Sequence, residues 1–300
     1  MPTPNFDDHL AVVVTRGVLF ALAVAGNAFI IFLIFRSKKL RSEKFNLLLV
    51  LVAIGDIVIG FSVPVKYLAD IFTRGLQWRF TCLAFGAFVV YGDHVTQLAM
   101  LFVAFDRLVV IAELAALQTT RRFSLLGIFF VLFVSVFPVA ALFWNANERF
   151  DTCQLPLVWN PQYAVYMSVV SFFFNIAILG SYGIIVISYR QLMKQTSHVP
   201  LRSESHFRQI VVGIVVVYFL TWCVPKWNII TLRLANVRTI VFQVSALMVD
   251  MCEVLSACLN VVVYGYTHRD LRNAMKSTFR KIRGQKTRST VVHSSQRIVS

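Results

Sequence analysis

Seven apolar runs, each long enough to cross a lipid bilayer as a helix, divide this 300-residue chain. They extend from Leu10 to Phe35, Phe45 to Ala69, Cys82 to Ile111, Phe123 to Trp144, Tyr163 to Tyr189, Phe207 to Leu234 and Thr239 to Tyr266. A transmembrane helix needs about 20 predominantly apolar residues, and only helices or closed barrels satisfy every backbone polar group in lipid. The expected fold class is therefore an all-α membrane protein, a seven-transmembrane helix bundle. Composition agrees: 58% of residues are hydrophobic and 14% charged, against about 45–50% and about 25% in soluble domains. So few charges cannot cover a water-facing surface, which excludes a cytosolic enzyme. No catalytic constellation or phosphate-binding loop occurs either, so the chain reads as a non-enzyme.

The net charge of +15 is placed like that of a membrane protein rather than a nucleic-acid binder. Arg36, Lys38, Lys39, Arg41 and Lys44 lie between the first two runs, and Arg269, Arg272, Lys276, Arg280, Lys281, Arg283, Lys286, Arg288 and Arg297 follow the last. Basic residues collect in cytoplasmic loops facing anionic lipid. The C-terminus is accordingly expected inside and the N-terminus outside, in a multi-pass plasma-membrane protein. Asp7 and Asp8 stand where a signal peptide would be basic, so the first span would serve as an uncleaved signal. The chain divides into a seven-span unit over 1–266, an amphipathic surface helix over 267–283 and a basic cytoplasmic tail over 284–300. No Asn-x-Ser/Thr acceptor for N-glycosylation occurs.

Polar residues inside the runs are costly at membrane depth and mark function. They include Asn27, Asp56, Asp93, Asp106, Arg107, Asp250, Glu253 and Asn260. Arg107 lies 25 residues beyond Cys82, about 37 Å along a helix and so at the opposite membrane face. Cys82 opens the third run on the outer side, and Cys153 follows the fourth, also outside. A disulfide between them can persist in that oxidising compartment and would tie the loop Asn145 to Pro161 over the bundle; the other reading is two unpaired thiols. Cys223, Cys252 and Cys258 fall within apolar runs as small hydrophobes.

The order of motifs resembles a rhodopsin-like (class A) G-protein-coupled receptor over essentially the whole chain. Gly26-Asn27 stands in the first span, and Leu51 to Asp56 with Pro64 in the second. Asp106-Arg107-Leu108 closes the third, Phe219 to Pro225 (FLTWCVP) marks the sixth, and Asn260 to Tyr264 (NVVVY) the seventh. Within that family, Lys38 to Gly60 is most similar to nematode serpentine chemoreceptors, particularly class sx. The resemblance implies a chemosensory receptor that binds a small external molecule and activates a heterotrimeric G protein, and sensory cilia are a location that fits. The alternatives are an internal peptide or hormone receptor and, more distantly, a ligand-gated channel or transporter.

The resemblance also assigns residues. It implies that Asp106 holds Arg107 at rest, that Tyr182 and Tyr264 receive Arg107 in the active state, and that Phe219, Pro225 and Asn260 belong to the switch. Arg190, Lys194, Arg202 and Arg208 would meet the G protein and membrane lipids, and Ser289, Thr290, Ser294, Ser295 and Ser300 would be phosphorylation sites. Asp56, Thr96 and Asn260 would coordinate a sodium ion; no other cofactor is implied. A ligand pocket is expected among Tyr91, Asp93, Gln97, Tyr166, Lys226, Asp250 and Glu253. Lys226 and the acids are either ligand anchors or, respectively, a side chain snorkelling to the outer surface and groups bonded within the bundle. Retinal is argued against because no lysine occurs between Thr239 and Tyr266. An amine is argued against because amine receptors carry their aspartate where Val89 stands, although Asp93 one turn deeper could meet a cation. The sequence departs from the family at Cys223, which takes the place of the span-six aromatic switch with Trp222 one position earlier. It departs also at Val261 for the span-seven proline, at Phe174 for the span-five proline and at Leu108. The fourth run carries tryptophan only at its outer end, Trp144.

Overall fold

A computed structural model describes residues 9–72, 77–111, 121–144, 149–150, 158–195, 212–237, 240–267 and 269–283. Cys153, Arg202, Arg208 and the serines and threonine of the tail lie outside the described residues, as do the loop residues 145–148 and 151–157 and the start of the sixth run. The spans are α1 (Leu10–Arg36), α3 (Lys44–Phe72), α4 (Arg79–Ile111), α5 (Arg121–Val134) with α6 (Val136–Leu142), α7 (Pro161–Gln195), α8 (Val212–Leu234) and α9 (Ile240–Thr267). A one-turn helix α2 (Lys38–Ser42) joins the first two, and α10 (Arg269–Ile282) follows the last. Six of these helices are long and apolar enough to span a membrane, and Leu126–Leu142 forms a shorter apolar helix in the place of the fourth span.

That fourth span is broken at Ser135, whose Oγ donates to the Val131 carbonyl at 2.8 Å. Pro138 explains the break: proline lacks an N–H and its ring clashes with the carbonyl four residues back. At one end of the bundle, β1 (Gln77–Trp78) pairs antiparallel with β2 (Arg149–Phe150), joining the two connections beside Cys82. Arg79 Nε donates to the Val158 carbonyl at 2.7 Å at that same end. The turn from α8 to α9 is a Schellman cap, with Asn236 at φ 53°, Val237 N–H on Leu232 O at 2.9 Å and Asn236 N–H on Arg233 O at 3.0 Å.

In lipid, helices associate through close backbone approach and polar contacts rather than the hydrophobic effect. Spans α3 and α4 touch through glycines: a Cβ on Gly92 would lie 2.7 Å from Ile59 Cγ1, and one on Gly55 would strike Thr96 Oγ1. Gly26 makes similar room for Val261, 2.7 Å from its absent Cβ. Asn27 Nδ2 then donates to Ala23 O at 2.9 Å and to Ala257 O at 3.1 Å, binding α1 to α9. Apolar side chains such as Phe129, Phe133, Phe173, Leu220 and Val262 face outward, as lipid contact requires.

The short helix α2 is fixed by its ends. Ser37 Oγ accepts from Leu40 N at 3.4 Å, Asn46 Nδ2 donates to Leu40 O at 2.9 Å, and Leu40 is buried. Helix α10 lays a basic, amphipathic length against this end, with Lys39 Nζ 3.0 Å from Asp270 and the Phe29 and Phe279 rings 5.5 Å apart.

Candidate functional site

The sixth span positions the central groups. Val224 N–H reaches back five residues to Phe219 O, making Phe219–Cys223 a π-turn. Pro225, one residue later, cannot complete a regular helical ladder, and a π-turn accommodates it. The extra residue rotates the helix so that both Trp222 and Cys223 are buried at 0% exposure. Trp222 therefore sits in the bundle core although the linear motif puts Cys223 in the aromatic position. Its Nε1 donates to Ser256 Oγ at 2.7 Å, and its ring stacks on Tyr218.

One turn on, Lys226 joins three spans. Its Nζ is 2.8 Å from Asp93 Oδ2 of α4 and 3.0 Å from Glu253 Oε1 of α9, and it lies 4.2 Å from the Trp222 ring centroid. The snorkelling expectation is overturned: Lys226 is 6% exposed, because two buried carboxylates compensate its charge where water cannot. Beside the triad lies a cavity of about 50 Å³, lined by Asp93, Lys226 and Glu253 with Trp159, Ser171 and Arg233. Asp93 Oδ1 and Trp159 Nε1 are buried and without hydrogen-bond partners.

The other expected pocket residues lie elsewhere. Asp250 is 3.1 Å from Arg16 of α1, and Tyr91 OH donates to Leu132 O of α5 at 3.3 Å. Tyr166 packs on Tyr163, ring centroids 5.7 Å apart, with its own side chain exposed. Gln97 is buried below Asp93 on α4, its Nε2 unpartnered, and does not line the cavity. Two further polar residues were not read from the sequence. Arg16 is an arginine inside an apolar run, which is signal enough to demand a partner. Asn175, whose Oδ1 accepts from Tyr218 OH at 2.8 Å, links α7 to α8 and announces itself only as a mid-span amide.

Deeper in the bundle, Asp56 accepts from Asn260 Nδ2 at 2.9 Å and from Thr96 Oγ1 at 3.5 Å. These residues fit a sodium ion by donor type: a carboxylate, a hydroxyl and an amide oxygen, if the Thr96 rotor and Asn260 amide turn, supply the oxygen set a hard cation takes. Toward the far end, Arg107 lies flat on Phe45, Cζ 3.4 Å from the ring centroid, while its Nε is 3.9 Å from Asp106 Oδ2. The guanidinium thus stacks on a ring while Asp106 stands at the edge of ion-pair range. Tyr182 and Tyr264 are buried, Phe219 is partly exposed with its ring on Trp227, and Pro225 is buried. Arg190 is exposed near the end of α7. At the opposite end Cys82 is disulfide-bonded, and the free cysteines among the described residues are Cys223, Cys252 and Cys258.

Residues 20–279 match the family described as the serpentine type seven-transmembrane G-protein-coupled chemoreceptor Srsx. A blue-sensitive opsin of Apis mellifera is 28% identical over 109 residues, covering 35% of this chain and 28% of the opsin's own length.

Proposed function

We propose, for a chain that belongs to the serpentine seven-transmembrane G-protein-coupled chemoreceptor family Srsx, that a small external molecule enters the cavity beside Lys226 and promotes nucleotide exchange on a heterotrimeric G protein at the Arg107 end. Family membership makes it a receptor and not an enzyme. The observation that carries the reading is the Asp93–Lys226–Glu253 triad, a single polar cluster at the cavity wall that joins α4, α8 and α9. A ligand shifts a receptor's equilibrium only through unequal affinity for its two packings, and a molecule contacting this cluster touches three spans at once.

In the active packing α8 moves outward and Arg107 leaves Asp106 and Phe45 for the buried tyrosines Tyr182 and Tyr264. The basic flanks of α2 and α10 support an inward-facing Arg107 end and an outer Cys82 end in the plasma membrane. Cys82 then pairs with Cys153, and sodium binds Asp56, Thr96 and Asn260 in the resting state. Similarity to an opsin brings no retinal chemistry, since α9 has no lysine.

The test is nucleotide exchange on co-expressed G proteins in membranes, driven by a panel of small water-soluble odorants. Arg107→Ala is expected to keep surface expression and lose evoked exchange. Retained exchange in that variant sinks the role of Arg107, and no evoked exchange in wild type across the panel and all Gα classes sinks the reading.

A further inference from the structure

We infer that the cavity recognises its ligand by a protonated amine, which docks on Asp93 beside Lys226 and Glu253. This rests on the reading of the cavity as the ligand site and adds the chemical class.

The argument is one of charge at depth. Two carboxylates face one ammonium, at 2.8 and 3.0 Å, and all three side chains are at most 7% exposed. With both carboxylates ionised the cluster is one positive charge short, a charge that a proton or a cationic group can supply. A charge without compensation in a bundle core is costly, so the site favours a group that brings +1, which completes it. A carboxylate ligand would double the deficit. The structure also marks where the missing cation belongs. Asp93 Oδ1 is buried with no partner, and Asp93 lines the cavity. The cavity of about 50 Å³ has room for an ammonium group. Trp159 Nε1, buried and lacking an acceptor in the same lining, asks for an acceptor on the rest of the molecule.

The second cation of the lining, Arg233, stands seven residues farther along α8, about 10 Å of helix rise. It donates to Ala164 O at 3.1 Å and lies 5.7 Å from the rings of Trp159 and Phe242. Val89 alone argued against an amine. That argument weakens once Glu253, from another span, is found sharing Lys226 with Asp93.

The experiment uses the full-length receptor in lipid nanodiscs and three two-carbon probes: ethylammonium chloride, ethanol and sodium acetate, at ionic strength matched with sodium chloride. Ethylammonium is expected to raise the unfolding temperature saturably and the other two not to. Asp93→Asn should weaken the ethylammonium midpoint by about thirtyfold or more, Glu253→Gln should weaken it likewise, and Lys39→Ala should leave it unchanged. The proposal is overturned by equal shifts from ethanol or acetate, by an ethylammonium shift indifferent to Asp93→Asn, or by no shift from any probe. Ser171→Trp, which fills the cavity, separates the two levels. If it abolishes odorant-evoked exchange while ethylammonium fails, the ligand site stands and only the amine class falls. If it changes nothing, the site itself falls.

Discussion

Two buried acid clusters share this bundle and solve the same problem differently. Asp56 meets only neutral donors, Asn260 Nδ2 at 2.9 Å and Thr96 Oγ1 at 3.5 Å. Asp93 and Glu253 instead converge on a full charge, Lys226. The first arrangement keeps both donors whether or not its acid is charged. The second depends on one side chain from a third span, so it is sensitive to anything that changes the charge count. A cluster held by neutral hydrogen bonds tolerates the loss of its charge; one held by opposed charges does not.

The comparison can be broken most sharply at Lys226. Lys226→Met leaves two buried carboxylates with no cation and is expected to cost about 3–5 kcal/mol, read as a large fall in unfolding temperature in nanodiscs. The triple variant Asp93→Asn, Lys226→Met, Glu253→Gln should recover most of it. An unchanged unfolding temperature in Lys226→Met would remove the distinction between the clusters. Gly92→Leu drives a side chain into Ile59 and should cost about 1–3 kcal/mol; because Asp56 stands on α3 and Asp93 on α4, both clusters should loosen, seen as greater hydrogen exchange on both helices. Arg16→Met, which strips a cation from the partly exposed Asp250, should cost about 1–2 kcal/mol by the same unfolding assay. Asp56→Asn keeps an acceptor for its neutral donors and should cost about 1 kcal/mol or less, while removing any stabilisation by sodium over potassium. The smallest effect is expected at the surface pair, where Lys39→Ala should change stability by about 0–1 kcal/mol.

Much of this architecture was legible before any coordinates. Helical spans follow from apolar length because lipid leaves the backbone no other partner, and the depth of Cys82, Asp93 and Arg107 follows from rise per residue. The Asp56, Thr96 and Asn260 grouping followed from family resemblance. What the linear chain does not carry is rotation about each helix axis. Asp250 and Glu253 are three residues apart on α9, yet one turns to Arg16 and the other to Lys226. Trp222 is the clearest case: the residue count put Cys223 in the core position, and the π-turn brings Trp222 there as well. Lys226 shows the same limit. Snorkelling is the right expectation for a lone lysine near a membrane face, and its two carboxylate partners come from spans remote in sequence.

If one bundle has two packings, coupled from the Lys226 triad to the Arg107 end, the separation of α4 and α8 reports them. Phe105→Cys on α4 and Val212→Cys on α8, both exposed positions, can carry spin labels in the full-length receptor. Pulsed electron resonance would then follow their separation as nucleotide-free heterotrimers of each Gα class are added. The account predicts a second, longer distance whose population grows with one of them and disappears in Arg107→Ala. A single distance, unchanged at saturating G protein, would contradict it.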